Sequence, residues 1–119
     1  MVKRLMVKRT SLVWKKSELS DAEFRRLWLG EHVAYAKRLP GLREYTIDFV
    51  VDAEEGAPNG IATVRFDSRE ALEQAFSDPQ LKADLMRTRD EFAAKVLVML
   101  VDEQPIVGKS VISANHSKF

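Results

Sequence analysis

Residues 19–51, LSDAEFRRLWLGEHVAYAKRLPGLREYTIDFVV, hold one helix, one stop and one strand, each with its own signal. Ser20 with Glu23 three positions on is a capping box, and Asp21 adds negative charge where the helix dipole favours it. The helix is expected from about Asp21 to Arg38, because Pro40-Gly41 cannot continue it. In residues 43–51 Tyr45, Ile47, Phe49 and Val51 share one face, with Thr46 and Asp48 on the other. That alternation reads as a strand with one strongly apolar face.

Working outward, residues 7–16 (VKRTSLVWKK) carry β-branched and aromatic types and form a plausible first strand. Residues 52–59 (DAEEGAPN) are acidic and contain Gly56 and Pro58, so a surface loop is expected before a strand at 60–66. Asp67 or Ser68 can cap a helix to about Ser77, and Asp78-Pro79 a second helical stretch to about Phe92. Residues 95–103 (KVLVMLVDE) include six consecutive apolar residues, Val96 to Val101, as expected of a strand buried on both faces. SVIS at 110–113 could add a short edge strand in an otherwise unpatterned tail.

The order β-α-β-β-α-β defines an α+β ferredoxin-like plait, a four-stranded antiparallel sheet with its helices on one face. Helices on one face leave the other open, although the last strand is apolar on both sides. A second copy packing sheet against sheet would cover it, so a homodimer is expected. One domain is expected over 1–119, with a core of about 7–107 and a tail at 108–119.

Composition narrows the function classes. Nineteen basic residues against eighteen acidic ones give a net charge of +1, without the basic excess of a nucleic-acid binder. The cationic Lys3, Arg4, Lys8, Arg9, Lys15 and Lys16 read as a solvated strand face or edge protection. The absence of cysteine excludes disulfides, thiolate metal sites and cysteine nucleophiles. No secretory leader or membrane-length apolar run appears, so a soluble cytoplasmic domain without a membrane partner is expected. Two histidines, one of them His116 in the tail, do not make a metal set, and no phosphate loop or serine elbow is present.

What chemistry remains centres on His32. At about 100° per residue Phe24, Tyr35, Trp28, Leu39 and His32 fall within about 80° of one another, with His32 at the margin. An imidazole at such a margin is partly desolvated and can exchange a proton near neutral pH. A lone histidine beside an apolar stripe is also, and more often, a satisfied boundary residue. Gly30 costs about 1 kcal/mol relative to alanine inside a helix, either to admit a close neighbour or for no functional reason.

The segment 19–45 resembles the EthD family, named for ethyl tert-butyl ether degradation. The resemblance rests on Phe24, on Trp28 and His32 as W-x3-H, on Leu39-Pro40-Gly41-Leu42 and on Tyr45. The stretches NGIATVRFDSREALEQAFSDP and VLVMLVDEQPIV are similar to the family's later helix and closing strand. The resemblance implies a dimeric α+β barrel with a cleft for a small apolar ligand, often cyclic or aromatic. It also implies that His32, Trp28 and Tyr45 line that cleft. Where the family commonly places a small residue and proline after the histidine, this chain has Val33 and Ala34, so the pocket is expected to differ in shape.

The expectation is then a cofactor-independent isomerase, lyase or cyclase, with His32 as acid or base and Phe24, Trp28 and Tyr35 as apolar wall. Tyr45 would supply a hydrogen bond, and Asp48 a polar contact if its strand face turned toward the cleft. The alternative is a dimeric ligand-binding or accessory protein without turnover. No cofactor is expected; a haem-using relative would need an axial ligand such as His32, and nothing else in the sequence asks for haem.

Overall fold

The computed structural model describes residues 6–108. The elements run β1 (Val7–Lys15), α1 (Asp21–Leu27), a π-helical turn (Trp28–His32), α2 (Val33–Ala36), β2 (Glu44–Phe49) and β3 (Gly60–Phe66). They continue with α3 (Arg69–Ala75), α4 (Pro79–Arg89) and β4 (Ala93–Val101). The sheet order is β2-β3-β1-β4, with every neighbouring pair antiparallel. This is the ferredoxin-like plait. The 110–113 segment and His116 lie outside the described residues.

Local chemistry explains the ends. Ser20 and Glu23 form the capping box in both directions: Ser20 Oγ accepts from the Glu23 N–H, and the Glu23 carboxylate accepts from the Ser20 N–H. Ser68, not Asp67, caps α3, and Asp78 caps α4 with Pro79 in its first turn. Gly41 takes φ +79°, a left-handed conformation that suits glycine and turns the chain from α2 toward β2.

The continuous helix expected from Asp21 to Arg38 is broken. At Gly30 ψ is −114°, far outside the helical range, and the turn around it is π-helical before regular geometry resumes at Val33. A side chain at Gly30 would meet nothing within 4 Å, so close approach is not what requires glycine there. Two other expectations also shift. Val51 lies beyond β2 and is exposed, and the helical stretch expected to about Phe92 ends at Arg89.

Register sorts the sheet's two faces. Phe49, Gly60, Val13 and Val96 are aligned across the four strands, the next row being Ile47, Ala62, Ser11 and Val98. A third row is Tyr45, Val64, Arg9 and Leu100. These rows face the helices. The core beneath them is divided: one cluster centres on Phe66, Leu72 and Leu85, the other on Val13, Phe24, Trp28 and Phe92.

On the opposite face Arg65 binds both Glu44 (2.8 Å) and Glu103 (2.6 Å), and Lys8 lies 4.0 Å from Glu103. Leu12 pairs there with Leu97, and Thr10 with Met99. The strand expected to be buried on both faces is an edge strand of the single chain, with Leu97 46% and Leu100 42% exposed. Leu97 and Leu100 are therefore only half-covered within the protomer, whereas Val96 packs against the core. The N-terminal strand is central rather than an edge, so its cations are not edge protection, and Arg9 belongs to the helix-facing side. The acidic loop is tied to β1: Trp14 Nε1 donates to the Gly56 carbonyl (3.0 Å), and Asn59 Oδ1 accepts from the Lys15 N–H (2.8 Å).

Candidate active site

Between the two core clusters lies a cavity of about 200 Å³. Its floor is made low by Ser11 and Ala62, small residues adjacent on the sheet, and Trp28, Leu85 and Phe92 form apolar walls. Trp28 is positioned by aromatic packing: it stacks on Phe92 at 5.1 Å and meets Phe24 and Phe49 edge-on at 5.4 Å and 5.5 Å. Its six-membered ring lies directly over Gly60, where a Cβ would overlap Cζ3.

His32 lines the same cavity, at the end of the π-helical turn. Its Nδ1 lies 2.8 Å from Thr88 Oγ1. That hydroxyl lies 2.8 Å from the Asp84 carbonyl and 3.2 Å from the Leu85 carbonyl, both of which can only accept. Its single proton is therefore committed to the backbone of α4, and toward His32 it acts as acceptor. Nδ1 must then carry the imidazole proton, leaving the lone pair on Nε2. The edge of the ring meets Phe92 at 5.4 Å.

Burial, and then the positive charge of Arg89, lower the His32 pKa to about 4; a hydrogen bond to the Leu85 carbonyl opposes them. The imidazole is neutral at neutral pH. Tyr45 also lines the cavity, and burial raises its hydroxyl pKa, partly offset by a hydrogen bond from the Trp28 indole.

Of the residues singled out in the sequence, His32, Trp28 and Tyr45 therefore meet at one cavity. Phe24 is buried behind Trp28 as a core residue, and it supports the wall without lining it. Tyr35 points its hydroxyl to Arg87 Nη2 (3.3 Å), away from the cavity. Asp48 pairs with Ile61 on the opposite sheet face and is exposed, because the alternation that turns Tyr45 and Ile47 inward turns it outward. Sequence reasoning missed Thr88, Arg9 and Arg89. Thr88 looked like any helix-interior threonine, and contact with His32 spans 56 residues of chain. Arg9 was legible in principle, since it alternates in phase with Ser11 and Val13.

Among the described residues no group of three or more His, Asp or Glu side chains could hold a metal ion, and no helix is long and apolar enough to cross a membrane.

A family model described as the EthD domain matches residues 16–95, which include the π-helical turn, His32 and Thr88. The chain belongs to the EthD family. No curated protein matches its sequence. Among solved structures, an EthD family protein from Bacillus halodurans is 24% identical, covers 84% of this chain and 100% of its own, and superposes with a TM-score of 0.70. A dimeric ferredoxin-like protein of unknown function from Thermobifida fusca is 11% identical over 85% and 94% of the two chains, with a TM-score of 0.65. SnoaB, a cofactor-independent oxygenase from Streptomyces nogalater, is 15% identical over 83% and 93%, with a TM-score of 0.57. At these identities the structural likenesses establish the EthD chain's fold.

Proposed function

We propose that this EthD chain binds a small cyclic or aromatic metabolite between helices and sheet and acts on it by proton transfer without a cofactor. The observation that carries the reading is the His32–Thr88 hydrogen bond in a largely apolar cavity. It holds a neutral imidazole with its Nε2 lone pair available to an acidic O–H or C–H of the ligand. Arg89, whose charge His32 already senses, would stabilise the anion that forms. The imidazolium can then return the proton at a neighbouring atom, which is an isomerisation, or to a leaving group, which is an elimination. A cavity of about 150 Å³ suffices for benzene, so about 200 Å³ suits one ring with a substituent.

A binding role without turnover is favoured by one observation: a histidine with a pKa of about 4 is a weak base in the empty cavity. In that case Nε2 serves only as a hydrogen-bond acceptor. The same reading includes a cytoplasmic homodimer through the open sheet face, supported by the exposed Leu97 and Val101 there.

Native mass spectrometry of protein purified from its own host identifies a retained ligand, which is then assayed with His32→Ala. Loss of turnover with binding retained supports catalysis by His32. Turnover and binding both intact in the variant contradict it.

A further inference from the structure

The cavity's charge is unbalanced. Arg9, Lys82 and Arg89 line it together with His32, and none of its lining residues is Asp or Glu. On the other face of the sheet the cations are matched, Arg65 by Glu44 and Glu103, and Lys8 by Glu103. On the cavity face they are not. Arg9 makes no ion pair among the described residues; its guanidinium is held over the Phe76 ring at 4.8 Å. Arg89 reaches the exposed Asp90 with Nη2 at 3.4 Å, but its Nε is buried and has no hydrogen-bond partner.

We propose that Arg9 and Arg89 form a carboxylate subsite, so that the metabolite bound here is a cyclic or aromatic acid. The assignment rests on the reading that the cavity binds a ring compound, and it names that compound's charge. The cavity offers these two guanidiniums no acidic lining residue, and a carboxylate reaching their cavity-facing N–H groups would supply the missing counter-charge. Two guanidiniums that share a cavity repel each other until an anion lies between them. Arg9 feels this: burial and then the charge of Arg89 lower its pKa. The planar guanidinium fork suits a carboxylate's paired oxygens better than a lysine would. Arg9, Arg89 and His32 line one cavity, so a ring acid anchored at the arginines would share that space with the imidazole.

The test compares benzoate with benzamide, which has the same shape without the charge, by NMR titration of the whole chain. Benzoate is expected to bind at least about tenfold more tightly. Arg9→Gln and Arg89→Gln should each remove most of that preference, lowering benzoate affinity by a larger factor than benzamide affinity. Each ligand-free variant gives up a contact, Arg9 over Phe76 and Arg89 with Asp90, along with an uncompensated charge, so its melting temperature should stay close to the parent's. Equal affinity of the two probes for the unmodified protein, which needs no variant to fold, overturns the acid assignment and leaves the ring-binding reading intact. So does a benzoate preference that survives both substitutions. If neither probe shifts the His32 and Val96 resonances at millimolar concentration, the ring-binding reading fails and the assignment falls with it.

Discussion

The indole of Trp28 occupies the space that a side chain at position 60 would need. A Cβ built on Gly60 overlaps Cζ3 of the ring, which cannot move aside because Phe24, Phe49 and Phe92 enclose it. The helix carrying the W-x3-H pattern and the third strand of the sheet thus meet at a contact where neither partner can be larger. Gly60→Ala is expected to destabilise the protein by about 1–3 kcal/mol, the usual range for overpacking a filled core. Urea denaturation gives the loss, and the near-ultraviolet circular dichroism of the displaced indole shows its origin.

The Thr88 hydroxyl decides which nitrogen of His32 carries the proton. Thr88→Val keeps the shape of the side chain and removes the acceptor. A buried Nδ1–H then loses its nearest acceptor and keeps only the Leu85 carbonyl, at a cost of up to about 1–3 kcal/mol. Two-dimensional ¹⁵N correlation spectra of the imidazole should show the Nδ1–H tautomer in the parent and a mixture, or the Nε2–H tautomer, in the variant.

Acid sensitivity follows from the same histidine. Its folded pKa of about 4 is below the unfolded value of about 6.5, so the unfolded chain binds more protons between them. Stability contributed by the neutral ring is complete above pH 6.5 and is lost as pH falls toward 4, by about 3 kcal/mol at most. Glu23 and Glu103 have lowered folded pKa values, held down by hydrogen bonds from Ser20 and Arg65 respectively. Their contributions disappear only at lower pH, below the ordinary carboxylate range. Melting temperatures measured from pH 6.5 to 4.5 should therefore fall in the parent and fall markedly less in His32→Gln.

The uncovered strand β4 carries the expectation of a dimer. Leu97 pairs with Leu12 on the open sheet face and is 46% exposed in the single chain. Leu97→Glu would place a charge at the centre of a sheet-to-sheet interface and should yield a folded monomer by sedimentation velocity where the parent sediments as a dimer. A dimer that persists in the variant means that another surface makes it.

Much of the fold was legible because its signals are local. The Ser20–Glu23 box, the Pro40-Gly41 stop and the alternation from Tyr45 to Phe49 each depend on neighbours in sequence, and each is where the pattern put it. The break at Gly30 was legible only as a poor helix residue, because a π-helical turn leaves no spacing signature in five residues. At the cavity, the motif brought His32, Trp28 and Tyr45 together. Asp48 failed on the period of the strand itself, which already separated it from Tyr45 and Ile47. Tyr35 sits on the correct side of an ideal wheel and yet turns to Arg87, since the wheel assumes a regular helix through Gly30. Thr88 reaches His32, and Arg89 the cavity, through packing of α4 against the π-helical turn and α2, and no local pattern marks such contacts.

The central claim is that His32 presents a neutral Nε2 to a ring compound in this cavity. The most direct test is ¹⁵N NMR of the imidazole in protein titrated with phenol, which supplies one ring and one proton to donate. The account predicts an unprotonated Nε2 at pH 7 whose resonance moves upfield as phenol saturates, while Nδ1 keeps its proton on Thr88. An Nε2 already protonated at pH 7, or one that phenol at saturation leaves unmoved, would contradict it.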